Sequence, residues 1–258
     1  MIRLEPALWS ALLTTTLAGL ATGAGGLLCL VRRPGGRTLG GAMGFAAGVM
    51  TAVSLADLLP SALAFYRQAL GPAAAGMALA SLLCAGMVVA ALMERCIPEP
   101  APAADPSRAG AMHTALATGT ALLLHNLPEG VLTLFAGMED PQMGLRLAAA
   151  VAIHNLPEGV ATALPLYYAT QSRWKAAGAA FAAGLAEPAA ALLAYGLLQG
   201  LLTPGFLNGL LVLAGGIMLW VSLAQLTPAA LELGGPRTAA AGFGAGAAAM
   251  TIGIALLS

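Results

Sequence analysis

The chain carries the heptapeptide HNLPEGV twice, at 125–131 and at 154–160. Each copy sets a histidine four residues before a glutamate: His125 with Glu129, and His154 with Glu158. On an α-helix that spacing puts both side chains on one face. Two imidazoles with two carboxylates are a ligand set for zinc, and equally for Fe(II), Mn(II), Co(II) or cadmium. No thiolate stands among them, so Cu(I) is not favoured. Asn126 and Asn155, beside the histidines, are candidate oxygen ligands, and Glu187 in Ala186-Glu187-Pro188 is a third carboxylate. Met50 is a candidate thioether ligand. Two carboxylates able to bridge would hold two ions. Pro128 and Pro157 lack an N–H and free the carbonyls of Leu124 and Ile153. Gly130 and Gly159 let a neighbouring backbone come close.

The elements that must position these groups are apolar. Of 258 residues, 59% are hydrophobic and 9% charged, and the formal net charge is zero; mean hydropathy is +0.85. A soluble domain carries roughly a quarter charged residues. The composition therefore argues against a water-soluble enzyme and against disorder, and the charge balance gives no case for nucleic acid. Abundant glycine (33) with 5% aromatics suits close helix packing in lipid. The three cysteines, Cys29, Cys84 and Cys96, form no CxxC and are read as small core residues.

Eight apolar runs are long enough to span a bilayer: near 7–31, 38–65, 72–94, 110–137, 143–168, 173–200, 205–232 and 238–257. The first is too long for a signal-peptide core. The expectation is an all-α polytopic membrane protein with one transport domain over 1–258 and a short linker at 95–109. Loops after the odd-numbered helices hold Arg32, Arg33, Arg37, Arg95, Arg108, Arg173, Lys175 and Arg237, against Arg3, Arg67 and Arg146 on the other side. That excess places the first set in the cytoplasm and both termini outside, so the linker is cytoplasmic. His125, Glu158 and Glu187 then fall near mid-membrane. Each ionisable group there costs about 3 kcal/mol or more, so a shared cation is the simplest reason for the cluster. Asp57, in the outer half of the second helix, is a candidate entrance residue. His113, at the cytoplasmic start of the fourth, is a candidate exit ligand.

A second repeat matches 48–63, GVMTAVSLADLLPSAL, with 216–231, GIMLWVSLAQLTPAAL, ten of 16 positions being identical. The two copies run in opposite directions across the membrane, as do the two HNLPEGV helices. Inverted repeats with Gly/Pro-interrupted helices are a common layout of secondary transporters. Ser54 and Ser222, matched in this repeat, are expected to be packing hydroxyls.

At its two HNLPEG hexapeptides and at Ala-Glu-Pro the sequence resembles the ZIP family of metal-ion transporters, particularly the broad-range bacterial branch. The resemblance spans the whole chain. It implies a 3+2+3 inverted-repeat bundle of eight transmembrane helices, a binuclear site and movement of divalent metal toward the cytoplasm. By motif position, one ion would take His125, Glu129, His154 and Glu158, with Met50. The other would take Asn126, Asn155 and Glu187, sharing Glu129 and Glu158. It further implies a homodimer in the plasma (inner) membrane and an elevator-like shift of helices 1, 4, 5 and 6 against 2, 3, 7 and 8. The ion is cargo, and no resident cofactor is expected. Two departures stand out. The loop between helices 3 and 4 is short and lacks histidine, and Ala224-Gln225 stands where relatives often carry acidic residues. The alternative reading is a proton- or sodium-coupled antiporter using the same carboxylates. An intramembrane metalloprotease would need HExxH, which is absent from both motifs.

Overall fold

The computed structural model describes residues 6–31, 35–97, 106–197 and 203–257, and among these every secondary-structure element is helical. Arg3, Arg32, Arg33, the side chain of Cys29 and the stretch 98–105 lie outside the described residues. The helices are α1 (Pro6–Val31), α2 (Gly36–Leu70), α3 (Pro72–Cys96), α4 (Pro106–Glu139), α5 (Pro141–Thr170), α6 (Arg173–Leu197), α7 (204–234) and α8 (236–257). Helix thus takes both flanks of the 95–109 segment.

Among the described residues seven continuous segments are long and apolar enough to cross a membrane, not eight, because α7 and α8 run on without a loop. Their joint 53 residues would measure about 80 Å if straight, against a hydrocarbon core of about 30 Å. Gly235 breaks the segment with φ 75° and ψ 166°, a conformation open to glycine, and Pro236 follows. The chain doubles back there. Ser222 and Ala230 of α7 meet Ala47 and Gly40 of α2 in antiparallel order, while Ala239 and Phe243 of α8 meet Gly44 and Gly48 in parallel order.

Other helix ends follow from short polar signals. Asp140 accepts from the backbone N–H of Gln142 at 2.8 Å, and Pro141 opens α5. Thr203 accepts from the N–H of Phe206 at 3.3 Å, and Pro204 opens α7. Both are cap-then-proline starts, in which the proline occupies a position that needs no donor.

The helices form two bundles. One contains α1, α4, α5 and α6; the other contains α2, α3, α7 and α8. They meet chiefly along α5 against α2 and α4 against α7. In the second bundle each copy of the 16-residue repeat opens into a π-helical stretch, Ser54–Leu58 in α2 and Val221–Leu226 in α7. A proline stands at the same place in each copy. Pro60 and Pro228 offer no N–H to Ala56 and Ala224. The preceding N–H groups, of Leu59 and Thr227, bond five residues back to Ser54 and Ser222. Ser54 and Ser222 act in packing: Ser54 donates to the Met50 carbonyl at 2.9 Å, and Ser222 donates to that of Ala47 at 2.7 Å.

The expectation for the cysteines is corrected. Cys84 and Cys96 are exposed on α3 rather than in the core. They share that surface with Met77, Val88 and Leu92. In lipid the outside of a bundle is as apolar as its inside, so hydrophobic surroundings in sequence do not mark a core position.

Candidate metal site

Four helices of the first bundle build the polar centre. α4 supplies His125, Asn126 and Glu129; α5 supplies His154, Asn155 and Glu158; α6 supplies Glu187; α1 supplies backbone carbonyls. All seven side chains are buried. Glu129 Oε1 lies 2.7 Å from His154 Nε2 and 3.1 Å from His125 Nε2. Glu158 Oε1 is 3.5 Å from His125 Nε2. Ligand atoms of His125, Glu129 and His154 all fall within 4.8 Å of one another, a span that fits one cation.

The two motifs dock alike. Asn126 Nδ2 donates to the Ala183 carbonyl of α6 at 3.0 Å, and Asn155 Nδ2 donates to the Ala18 carbonyl of α1 at 3.0 Å. A carbonyl only accepts, so each amide must turn its nitrogen to the neighbouring helix and its oxygen away. Asn155 also donates to Glu187 Oε1. One turn on from each acceptor carbonyl comes the glycine contact. A methyl at Gly130 would overlap the backbone of Glu187, and one at Gly159 would overlap the Thr22 carbonyl. The asparagine and glycine of a motif thus clamp one partner helix, α6 for the first copy and α1 for the second, at residues four apart.

These clamps leave acceptors facing inward. Asn126 Oδ1, Asn155 Oδ1, Glu129 Oε2, both oxygens of Glu158 and Glu187 Oε2 are buried with no hydrogen-bond partner. Buried acceptors normally have partners, and oxygen atoms gathered with two imidazoles suit a hard-to-borderline divalent cation.

The other candidates lie apart. Met50 is fully buried on α2, in the apolar core that also holds Ala121 and Leu122 of α4. Asp57 is half-buried in the π stretch of α2. His113 is twelve residues before His125, about 18 Å along the helix. It lines a cavity of about 510 Å³ at the other end of the molecule, together with Leu39, Met43, Thr114, Tyr168 and Glu232.

Sequence reasoning passed over Thr118 and noted Gln225 only as part of the Ala224-Gln225 departure, without a role. Thr118 Oγ1 donates to Gln225 Oε1 at 3.0 Å, joining α4 to α7 across the two bundles. The one available signal was Gln225's position, opposite Asp57 in the 16-residue repeat. It also passed over the α1 carbonyls, because backbone acceptors leave no trace in residue type.

Known proteins share this arrangement of sequence. A family model described as ZIP Zinc transporter matches residues 104–258. The chain is 39% identical over 267 residues to "Zinc transporter ZupT" of Stenotrophomonas maltophilia (strain K279a), covering 99% of each chain. It is 37% identical over 254 residues to the protein of the same name from Corynebacterium efficiens, covering 94% of this chain and 95% of that one. To the Chlorobium limicola protein it is 36% identical over 262 residues, with 97% and 98% covered. Similarity from end to end, carried on a helical bundle with two histidines and three glutamates buried together, establishes that this chain belongs to the ZIP family and is a polytopic membrane protein of a transporter family rather than an enzyme.

Proposed function

We propose that the protein moves divalent transition-metal ions, zinc foremost, across the plasma membrane toward the cytoplasm. The observation that carries this is the buried cluster of His125, Glu129, His154 and Glu158, ringed by acceptors without partners. Such a cluster serves no packing purpose in an apolar bundle, and every member binds zinc, iron or manganese chemically. The zinc transporters to which the chain is similar support zinc as the first cargo to test.

In this reading one ion is held by His125, Glu129, His154 and Glu158, with the Met50 thioether approaching from the second bundle. A second is held by Asn126, Asn155 and Glu187, and Glu129 and Glu158 bridge the pair. Asp57 gathers ions on the outer side. His113 receives them in the cytoplasmic cavity, which lies at the end of the helices that flank the Arg-rich loops. The clamped bundle of α1, α4, α5 and α6 moves as a body against α2, α3, α7 and α8, which gives alternating access. Two copies associate as a homodimer, with both termini outside.

The test is zinc entry into proteoliposomes loaded with a zinc-sensitive dye, comparing the wild type with His154→Ala. Filling by the wild type and not by the variant is the expected result. Equal rates remove the central cluster from the transport path. Proton or sodium flux without metal, and no metal flux, would instead favour the antiporter.

A further inference from the structure

We infer that Thr118 and Gln225 form the closed gate between the central cluster and the His113 cavity, an inference that rests on the transport reading above. Four helices turn one continuous face toward this path. On α4 the face carries His125, Ala121, Thr118 and Thr114, at steps of four, three and four residues. On α5 it carries Glu158, Ala161, Pro165 and Tyr168; on α2 it carries Met50, Met43 and Leu39; on α7 it carries Gln225, Ala229 and Glu232. The last members of each row line the 510 Å³ cavity. His125 and Glu158 belong to the central cluster, Met50 to the buried core that also holds Ala121, and Gln225 is bonded to Thr118. The rows on α4 and α5 thus run from the cluster to the cavity.

Between them the path is shut. Thr118, Ala121, Met43 and Ala161 are all nearly or fully buried, and Gln225 is only 6% exposed. The plug is apolar except at one place, the Thr118–Gln225 hydrogen bond. That bond links residues on opposite bundles, so any sliding of one bundle against the other must break it. Gln225 Nε2 is buried beside it with no acceptor. A side chain present only to join helices has no reason to carry an orphan donor there. An amide that releases a hydroxyl and turns its own oxygen to a passing cation does.

The pseudo-symmetry gives the chemistry of the gate. Gln225 and Asp57 occupy equivalent positions in the two π stretches. On the Asp57 side a carboxylate attracts the cation. On the Gln225 side the amide is neutral, so it offers an oxygen ligand without holding the ion against onward passage to Glu232 and His113.

The experiment uses the full chain in proteoliposomes, with the three native cysteines replaced by serine and an Ala121→Cys probe placed between His125 and Thr118. The readout is the labelling rate by a membrane-impermeant maleimide reaching the cavity side. Thr114→Cys in the same background reports the open cavity. Thr118→Val keeps shape and removes the hydroxyl; Thr118→Ser keeps the hydroxyl; Gln225→Leu removes the acceptor. Loss of one hydrogen bond between buried groups should raise labelling of the Ala121→Cys probe roughly tenfold in Thr118→Val and Gln225→Leu. Thr118→Ser should label like the parent. Equal labelling in all four proteins overturns the gate. So does faster labelling in Thr118→Ser, which would mean general loosening. The readout needs no zinc, so the gate can stand while the transport reading fails, and the reverse.

Discussion

Glu129 is the hinge of the central cluster, and Glu129→Gln is the sharpest test of it. The substitution keeps the size, removes the charge and turns one acceptor oxygen into an N–H donor that cannot ligate a cation. One oxygen of Glu129 spans both imidazoles, at 2.7 and 3.1 Å. The other is buried without a partner. With an ion bound, each oxygen supplies one charge-assisted contact, worth about 1.5–3 kcal/mol. Two such contacts amount to about 3–6 kcal/mol, or roughly a hundredfold to ten-thousandfold in zinc affinity. Calorimetric titration of purified protein with zinc reads this directly. Glu94→Gln is the matched control. Glu94 accepts from Trp220 Nε1 at 2.8 Å, linking α3 to α7 outside the cluster, and its loss should leave affinity unchanged within threefold. A Glu129→Gln protein that binds zinc within threefold of the wild type would refute the argument that this carboxylate is a ligand.

Further outcomes follow from the packing and the donors. Gly159→Ala drives a methyl into the Thr22 carbonyl of α1 and should destabilise the protein by about 1–3 kcal/mol, read as a lower midpoint in thermal unfolding in detergent. Gly178→Ala, on α6 with open space for the methyl, is the control and should leave that midpoint equal or slightly raised, since alanine stabilises a helix interior by up to about 1 kcal/mol over glycine. Trp220→Phe removes the bond to Glu94 and should cost about 1 kcal/mol of stability while zinc affinity stays the same. Ligation requires unprotonated histidines and ionised glutamates, so acid must weaken binding; between pH 7.5 and 5.5 the zinc affinity should fall by roughly tenfold or more, measured by the same titration.

What could be read from residues alone depended on whether the information was local. The His125–Glu129 and His154–Glu158 pairs lie within one helical turn, so spacing was enough to put each pair on one face. The break between the apolar runs 205–232 and 238–257 marked the reversal between α7 and α8, and Gly235 before Pro236 supplies the positive φ it needs. Cys84 and Cys96 were misjudged because lipid and protein interior favour the same side chains. The Thr118–Gln225 bond joins residues 107 apart in sequence, and nothing in either neighbourhood names the other. The docking of Asn155 on Ala18 is similarly remote, and its acceptor is a backbone atom that any residue would provide. The π stretches needed more than the presence of Pro60 and Pro228, because Pro128 and Pro157 sit inside helices that stay α-helical.

Those π stretches bear on how the chain can tolerate insertion and deletion. A π turn accommodates one residue more than the α-helix around it. Deleting a single residue within 221–226 would let α7 close into regular α-helix with its packing length preserved. The chain beyond it would keep its facing relative to the chain before it, because the π turn had already absorbed the extra residue. Ala229 and Glu232 would stay on the cavity wall, and α8 would still meet the glycines of α2. The same deletion in the regular α-helix on either side would instead rotate everything beyond it by about 100°. In both halves the extra residue thus marks a place where the chain can be shortened by one without losing the register between the bundles.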